Sequence, residues 1–109
     1  MPRGVAETME VTFDDPDLDR MEIDANETCG LSEGVVRSFR KKMQVIRAVK
    51  NENDLRAMGS LHFEVLKGKR AHQASIRLNN KYRLILEIEE RSGSNNNVLH
   101  VKGIEDYHR

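Results

Sequence analysis

The side chains of this sequence that are best suited to chemistry lie in its C-terminal half. Lys67 and Arg83 bring positive charge there, and Tyr107 and His108 stand near the end of the chain. Lysine and arginine both bind phosphate, and a guanidinium does so with two parallel hydrogen bonds. A histidine accepts or releases a proton near neutral pH. These residue types indicate a surface that could hold a phosphate group and move a proton.

Strands are predicted to bring these side chains together, because apolar and polar residues alternate along this half of the chain. Neighbouring residues of a strand point to opposite faces, so Arg77 and Arg83 are predicted to lie on the open face and Tyr82 on the core face. The same alternation gives His62 and Glu64 a common face. The strands are predicted within residues 62–65, 74–78, 82–88 and 98–104, and their predicted core residues are Phe63, Val65, Ile76, Leu84 and Leu86.

Turn signals separate these strands. Gly68 follows the first strand, Asn79-Asn80-Lys81 predicts a hairpin turn, and residues 92–97 (SGSNNN) predict a polar loop. Such a succession of short strands with local turns is typical of an antiparallel sheet.

Helices are predicted ahead of the strands. Apolar residues recur at intervals of three and four between Val35 and Val49, which predicts a long helix from its N-cap Ser32 to Lys50. A short strand is predicted at residues 9–13, followed by a short helix ending near Ala25. Asp54 is predicted to cap another short helix that Gly59 ends. We therefore expect a single α+β domain over residues 1–109, with N-terminal helices packed on an antiparallel sheet of about four to five strands.

The net charge of zero conceals an asymmetry along the chain. Residues 1–34 hold two basic and ten acidic side chains, whereas residues 35–109 hold 16 basic and eight acidic ones. A basic body suits a polyanion, although charge alone is better explained by solvated helix and strand faces. Residues 1–30 form an acidic N-terminal extension, part of which could be flexible. This extension could also cover the basic face.

Composition excludes several classes of protein. A single cysteine, Cys29, cannot form an internal disulfide and has no surroundings that suggest a nucleophile. No apolar run approaches the roughly 18 residues of a membrane span, and the N-terminus lacks a signal core, so we expect a cytoplasmic protein that does not enter the membrane. The four histidines, at positions 62, 72, 100 and 108, lack metal-ligand spacing. We expect neither a metal nor a cofactor.

Short motifs in the C-terminal half recur in an order and spacing typical of one family. They are Ser60-Leu61-His62-Phe63-Glu64, Leu66-Lys67-Gly68, Arg70, Gln73, Ser75-Ile76-Arg77-Leu78-Asn79, Tyr82-Arg83-Leu84-Ile85 and Asp106-Tyr107-His108. With this set the chain resembles the RelE/ParE superfamily of bacterial type II toxins, and within it the HigB-like plasmid maintenance system killer proteins. The predicted helix at Ser32–Lys50 sits where that family has its long helix.

The resemblance implies a ribosome-dependent endoribonuclease that cuts messenger RNA and has a fold like that of small microbial ribonucleases. It also implies a cognate helix-turn-helix antitoxin of the HigA-like type. In such a reaction the RNA 2′-hydroxyl attacks the adjacent phosphate, so neither metal nor cofactor is required. The reaction needs a base for the 2′-hydroxyl, cations for the transition-state charge and an acid for the 5′-oxygen.

The basic side chains and the C-terminal residues of this sequence can be matched to the three needs of this cleavage reaction. Lys67 and Arg83 are predicted to stabilise the phosphate, and His108 to act as acid or base. Tyr107 would orient the substrate, stack on a base or donate a proton. The residues predicted to contact RNA are Arg77, Lys69, Arg70 and Lys81.

Two of the assignments stay open. Asp106 could hold an imidazole or bind a basic neighbour. The alternative for the terminus is a frayed tail, and the resemblance favours the functional interpretation. Some members of the family carry a functional histidine at the position of Glu64, so that role does not transfer to His62. The general base is therefore Glu64, His62 or His108.

Three functions remain in view from the sequence. The first is the mRNA-cleaving toxin, which the acid and base set favours. The second is a ParE-like gyrase inhibitor without ribonuclease activity. The third is a degenerate homologue that mainly binds its antitoxin. Codon preference and oligomeric state are not readable from the residues.

Overall fold

The computed structural model describes residues 8–91 and 97–107, and the elements below belong to these residues. Its α-helices and strands follow in the order β1 (Glu10–Phe13), α1 (Pro16–Ile23), α2 (Glu33–Ala48), α3 (Glu52–Ala57), β2 (Glu64–Val65), β3 (Gln73–Arg77), β4 (Tyr82–Glu89) and β5 (Val98–Asp106). The strands form one sheet in the order β1-β5-β4-β3-β2. Helices on one face of a sheet confirm the predicted α+β class.

The sheet is mixed rather than purely antiparallel. Strands β2 to β5 pair antiparallel with their neighbours, as predicted, but β1 runs parallel to β5. Two parallel strands cannot be joined by a tight hairpin and need a long connection. Here the helices that follow β1 carry the chain to the opposite edge of the sheet, where β2 begins. The prediction of a wholly antiparallel sheet was wrong at this strand, because alternation within a strand carries no information about its direction.

Helix starts follow the capping residues in the sequence. Ser32 caps α2 as predicted, since its hydroxyl accepts a hydrogen bond from the Val35 amide at 3.4 Å. In α3 the cap is Asn51, whose side chain accepts from the Asn53 amide, and not Asp54. The extended backbone of Asn51 places its side chain over the first turn, whereas Asp54 lies inside the helix and accepts from the Lys50 amide.

The apolar stripe of α2 packs on one face of the sheet. The buried residues of this core include Val35, Val36, Phe39, Met43 and Ile46 from α2, and Ile76, Leu84, Leu86, Leu99 and Val101 from the strands. The helical period predicted the α2 positions, and the strand period predicted Ile76, Leu84 and Leu86, whereas Leu99 and Val101 were not assigned to a face from the sequence. None of the helices in the described part of the chain is long and apolar enough to cross a bilayer.

Strand β2 departs from its prediction. Val65 was predicted to be core but is 41% exposed, and Leu66 is buried instead. The chain makes a 3₁₀ turn at Gly59–Leu61 and leaves it through His62 in the left-handed conformation, with φ of 51°, so the strand begins only at Glu64. Because β2 is a two-residue strand at the edge of the sheet, its core-side residue lies at the margin of the helical layer. His62 and Glu64 are therefore not two positions of one strand face, contrary to prediction.

Candidate active site

The face of the sheet opposite the helices carries a cleft, which we call the cationic cleft. It consists of three adjoining recesses, the first with a volume of about 600 Å³. Arg83 and Arg70 line two of the recesses, and Glu64 and Tyr107 also line two each. The residues of the cationic cleft are His62, Glu64, Val65, Leu66, Lys67, Arg70, Arg77, Asn80, Arg83, Glu105, Asp106 and Tyr107.

The strand register explains why the charges meet. Arg77 of β3 lies opposite Arg83 of β4, and Arg83 lies opposite Glu105 of β5. Residues opposite each other in a sheet share a face, so these three form one row across the open side. The predicted placement of Arg77 and Arg83 opposite the core face agrees with this register.

A β-bulge brings the acidic member of this row onto the open face. Ile85 pairs with Gly103 and Leu86 pairs with Val101, so Lys102 is an extra residue in β5. Without this extra residue, Glu105 would have the parity of the core residues Leu99 and Val101. Bulges often redirect side chains beside functional sites. Sequence reasoning missed Glu105, because a plain alternation over the last strand does not show the bulge.

Glu105 holds two of the predicted phosphate-binding cations. Its carboxylate accepts two hydrogen bonds from the guanidinium of Arg70, at 2.9 and 2.7 Å, and lies 3.6 Å from Nη2 of Arg83. The hydrogen bonds from Arg70 lower the pKa of Glu105, with a further contribution from the charge of Arg83. The same contact raises the pKa of Arg70. The cluster therefore stays fully charged near neutral pH, with two guanidinium groups for one carboxylate.

Arg83 is placed by an aromatic ring as well as by charge. Its guanidinium carbon lies 5.3 Å from the centroid of the Tyr107 ring, within the range of a cation–π contact. The Tyr107 amide donates to the Lys81 carbonyl at 2.7 Å, which fixes this tyrosine against the β3–β4 hairpin. The side chain of Arg83 is only 20% exposed, and its Nε atom is buried without a hydrogen-bond partner among the described residues.

Lys67 lies at the mouth of the cleft. It precedes Gly68, whose φ of +67° is unfavourable for residues with a Cβ, and the chain then makes a 3₁₀ turn to Arg70. This turn confirms the predicted role of Gly68. Lys67 lines the same recess as Glu64 and Arg83, and its ammonium group makes no ion pair with another described residue. It is therefore available to an anion that enters the cleft.

The candidates for a proton acceptor converge in another recess. His62 and Glu64 line it together with Arg77 and Tyr107. His62 leaves the preceding 3₁₀ turn in the left-handed conformation, and it lines the same recess as Glu64 although the two are not positions of one strand face. The third candidate, His108, lies outside the described residues.

Other predicted site residues lie at the margin. Lys69 and Lys81 are exposed on the two turns and do not line the recesses. The Lys81 ammonium instead lies 5.3 Å from the ring of Tyr82. Asp106 lines the first recess at the end of β5, opposite Tyr82 in the register.

The acidic N-terminal stretch packs away from the cationic cleft in its described part. Leu18 and Met21 of α1 are buried in the helix-side core, and Glu22 binds Arg47 of α2. Arg40 of α2 donates to the Met21, Asp24 and Glu27 carbonyls at the end of α1. Residues 10–13 form the edge strand β1 and residues 16–30 follow on the helix side of the sheet, so the idea that this extension covers the basic face is wrong for its described part.

The surroundings of Cys29 disfavour a nucleophilic thiolate. Burial raises the pKa of the Cys29 thiol, and the nearby carboxylate of Glu27 raises it further, so the reactive thiolate is disfavoured. Across residues 8–91 and 97–107, no three His, Cys, Asp or Glu side chains converge in a way that could hold a metal ion.

The fold and the cationic cleft define the class of a small α+β protein with arginine and lysine side chains gathered on the open face of its sheet. The family model for the RelE-like toxin of type II toxin-antitoxin system HigB matches residues 11–108. The chain therefore belongs to this family of type II toxins, and membership implies an antitoxin partner.

Solved structures support the fold. The YoeB/ParE toxin from Agrobacterium tumefaciens superposes with a TM-score of 0.57 at 16% identity, over 91% of this chain and 99% of that one. The conserved hypothetical protein HP0894 from Helicobacter pylori superposes with a TM-score of 0.52 at 10% identity, over 94% of this chain and 98% of the other. At such identities the likeness shows the fold alone. No protein with a curated function matches the chain in sequence.

Proposed function

We propose that this toxin is an endoribonuclease that cuts messenger RNA on the ribosome and so arrests translation. The observation that carries the proposal is the meeting of Lys67, Arg83, Glu64 and Tyr107 in one cleft on the open face of the sheet. Surplus positive charge, a carboxylate and a phenol are the groups that transfer of a phosphodiester to its own 2′-hydroxyl requires.

The reaction proceeds by in-line attack of the RNA 2′-oxygen on the adjacent phosphorus. Glu64, or His62 beside it, accepts the proton of the 2′-hydroxyl. Arg83 and Lys67 stabilise the charge that develops on the non-bridging oxygens. The bond to the 5′-oxygen breaks, and Tyr107 or His108 donates a proton to that oxygen. The products are a 2′,3′-cyclic phosphate and a free 5′-hydroxyl, and neither a metal nor a cofactor takes part.

Cations around the cleft extend the contact with RNA. Arg77 lines the recess beside Glu64, and Lys69 and Lys81 lie on the adjoining turns, so they are placed to bind neighbouring phosphates. Asp106, at the end of β5, orients a basic neighbour or the imidazole of His108. The protein acts in the cytoplasm, where its substrate is found, and a helix-turn-helix antitoxin of the HigA-like type neutralises it.

Mapping RNA 5′ ends in bacteria tests this proposal. Cells express the wild type, a Lys67→Ala/Arg83→Ala variant, or a control variant, Arg37→Ala/Lys50→Ala, which removes the same charge from exposed positions of the helical layer. We expect codon-associated cuts with the wild type and the control, and none with the cleft variant. Purified ribosomes with a defined message should reproduce the pattern.

Other outcomes would contradict the proposal in different ways. Growth arrest with intact RNA and gyrase-dependent DNA breaks would support a ParE-like gyrase inhibitor. Absence of toxicity from the wild type, with retained antitoxin binding, would indicate a degenerate homologue.

A further inference from the structure

We propose that Glu105 is a built-in substitute for the RNA phosphate. Its carboxylate occupies the anion subsite formed by Arg70 and Arg83 while the cleft is empty, and gives way when a phosphodiester enters. This inference rests on the proposed binding of RNA in the cationic cleft. It makes Glu105 a residue that sets affinity and selectivity and does not itself take part in the chemistry.

The geometry of the subsite is that of an anion site. Both carboxylate oxygens of Glu105 face the two terminal nitrogens of Arg70, at 2.9 and 2.7 Å, and this parallel arrangement is also how a guanidinium binds a phosphate. Arg83 reaches the same carboxylate from the other side at 3.6 Å. Within this contact one carboxylate faces two guanidinium groups, so Arg83, at the longer distance, keeps an attraction for a further anion.

Both arginines have a second support that does not depend on Glu105. The Nε of Arg70 donates to the side-chain oxygen of Gln73 at 2.9 Å. Arg83 lies against the Tyr107 ring. Release of the carboxylate would therefore leave the two guanidinium groups in place, already oriented for a phosphate.

Displacement of the carboxylate is physically easy. The side chains of Glu105 and Arg70 are each 40% exposed, so water solvates the carboxylate readily when it turns away. An ion pair with this exposure contributes little, because solvent screens it. The backbone of Glu105 stays paired with Arg83 across the β4–β5 ladder, so the side chain can move without disturbing the sheet.

The consequence is selectivity against isolated anions. A single phosphate must compete with a carboxylate that is tethered to the site and therefore always present. An RNA strand that also engages Lys67 and Arg77 gains enough additional contacts to displace it. Glu105 thus weakens binding of any polyanion that fits only the Arg70–Arg83 subsite.

Binding of a short single-stranded RNA with 2′-O-methyl groups, which cannot be cut, tests this idea. The proteins compared are the wild type, Glu105→Gln and the control Glu22→Gln, which removes a carboxylate from a similar bidentate pair in the helical layer. We expect Glu105→Gln to bind about two- to fivefold more tightly, as an exposed ion pair would allow. The slope of log K for RNA binding against log salt concentration should steepen by about 0.7 for each arginine that the loss of the Glu105 charge frees to contact a phosphate.

Control variants distinguish a Glu105 carboxylate that competes with RNA from one that only holds Arg70 and Arg83 in place. Glu22→Gln should bind like the wild type, and Glu105→Asp, which keeps the charge, should bind close to the wild type. Circular dichroism and thermal melting confirm that each variant is folded. Equal or weaker binding by Glu105→Gln would overturn the inference, since the carboxylate would then serve only to hold the arginines.

The outcome for Glu105 is separable from that for RNA cleavage. If the wild type cuts message on ribosomes but Glu105→Gln binds no more tightly, only the role of Glu105 is wrong. If neither protein cuts but Glu105→Gln binds the oligonucleotide more tightly, the subsite stands and the cleavage proposal fails. Lack of measurable binding by both proteins would overturn the inference about Glu105 as well.

Discussion

The protein makes a bidentate contact between arginine and glutamate on both sides of its sheet, through Nε and Nη2 of Arg47 and through the two terminal nitrogens of Arg70. On the helix side, Arg47 donates to the two oxygens of Glu22 at 2.6 and 2.8 Å, and the Glu22 side chain is only 12% exposed. In the cationic cleft, Arg70 donates to Glu105, whose side chain is 40% exposed, and Arg83 approaches the same carboxylate. In the first pair the carboxylate is shielded although Arg47 is 48% exposed, whereas in the second both partners are exposed and Arg83 adds a second cation.

This difference suits the Arg47–Glu22 pair to stabilising the fold and the Arg70–Glu105 pair to binding a ligand. The pair with the shielded carboxylate joins α1 to α2, and its one cation already has a carboxylate partner. An exposed pair with two cations for one anion contributes little to stability but retains an attraction for phosphate. Changes to the two pairs should therefore affect different properties of the protein.

Removing an arginine from each side should give the largest contrast. Arg83→Ala should lower the rate of message cleavage on ribosomes by about 10²–10³, the usual cost of losing a group that stabilises transition-state charge. Arg47→Ala should leave that rate unchanged and lower the midpoint of urea unfolding, because Glu22 loses its partner. Single-turnover cleavage and urea titration of both variants measure the two effects. Similar activity losses in both would contradict the separation.

The helix side was largely predictable from the residues alone. The period of apolar residues along α2 corresponds to one buried stripe, and Ser32 supplies a local cap, so both signals depend only on near neighbours. The prediction that Val65 is a core residue was wrong because strand alternation does not distinguish an edge strand from a central one. The period of two fixes which residues share a face, but not which strands lie beside them.

The residues of the cationic cleft were only partly predictable, because their positions depend on the pairing register of strands that are distant in the sequence. Arg77 and Arg83 flank a short hairpin turn, so their common face followed from alternation. Glu105 reaches that face through the extra residue Lys102 in β5. A bulge depends on how two strands pair, and no local pattern in the sequence marks it.

Removing a carboxylate from each pair should produce a smaller but clear difference in stability. Glu22→Gln should lower the free energy of unfolding by about 1 kcal/mol, below the range of roughly 1.5–3 kcal/mol for hydrogen bonds to charged groups, because Arg47 is half-exposed. Glu105→Gln should lower it by only a few tenths of a kcal/mol, as expected for an exposed pair. Urea unfolding at pH 7 measures both. A larger loss for Glu105→Gln would mean that the cleft pair supports the fold.

The two sides also differ in how well their polar groups are satisfied. Ser75 is fully buried on the open face, and its hydroxyl has no hydrogen-bond partner among the described residues. Such a hydroxyl costs free energy, so Ser75→Ala should stabilise the protein by up to about 1 kcal/mol. Thermal melting would detect this gain, with Ser38→Ala as the control. Ser38 donates to the Leu78 carbonyl at 2.8 Å, and its replacement should destabilise instead.

The smallest effect concerns pH and returns to Glu105. Arg70 holds the pKa of this carboxylate below the ordinary value of 4.5, so the folded protein favours the ionised form. The stability that this charge contributes is fully present above the unfolded-state pKa and is lost as the pH falls through the lower folded-state pKa. The stability advantage of the wild type over Glu105→Gln should therefore be constant from pH 8 to about 5 and disappear in more acidic solution.

The difference in RNA affinity between the two proteins should change over the same pH range as the difference in stability. Its sign is opposite, because Glu105→Gln is the tighter binder but the less stable protein. While Glu105 is ionised it competes with phosphate, so Glu105→Gln should bind the 2′-O-methyl oligonucleotide more tightly than the wild type at pH 7. As Glu105 becomes protonated in the wild type, this difference should close. Urea midpoints and oligonucleotide affinities measured from pH 7 to 3.5 test whether both differences vanish together. If they closed between pH 7 and 5.5, a group other than Glu105 would be titrating in the cleft.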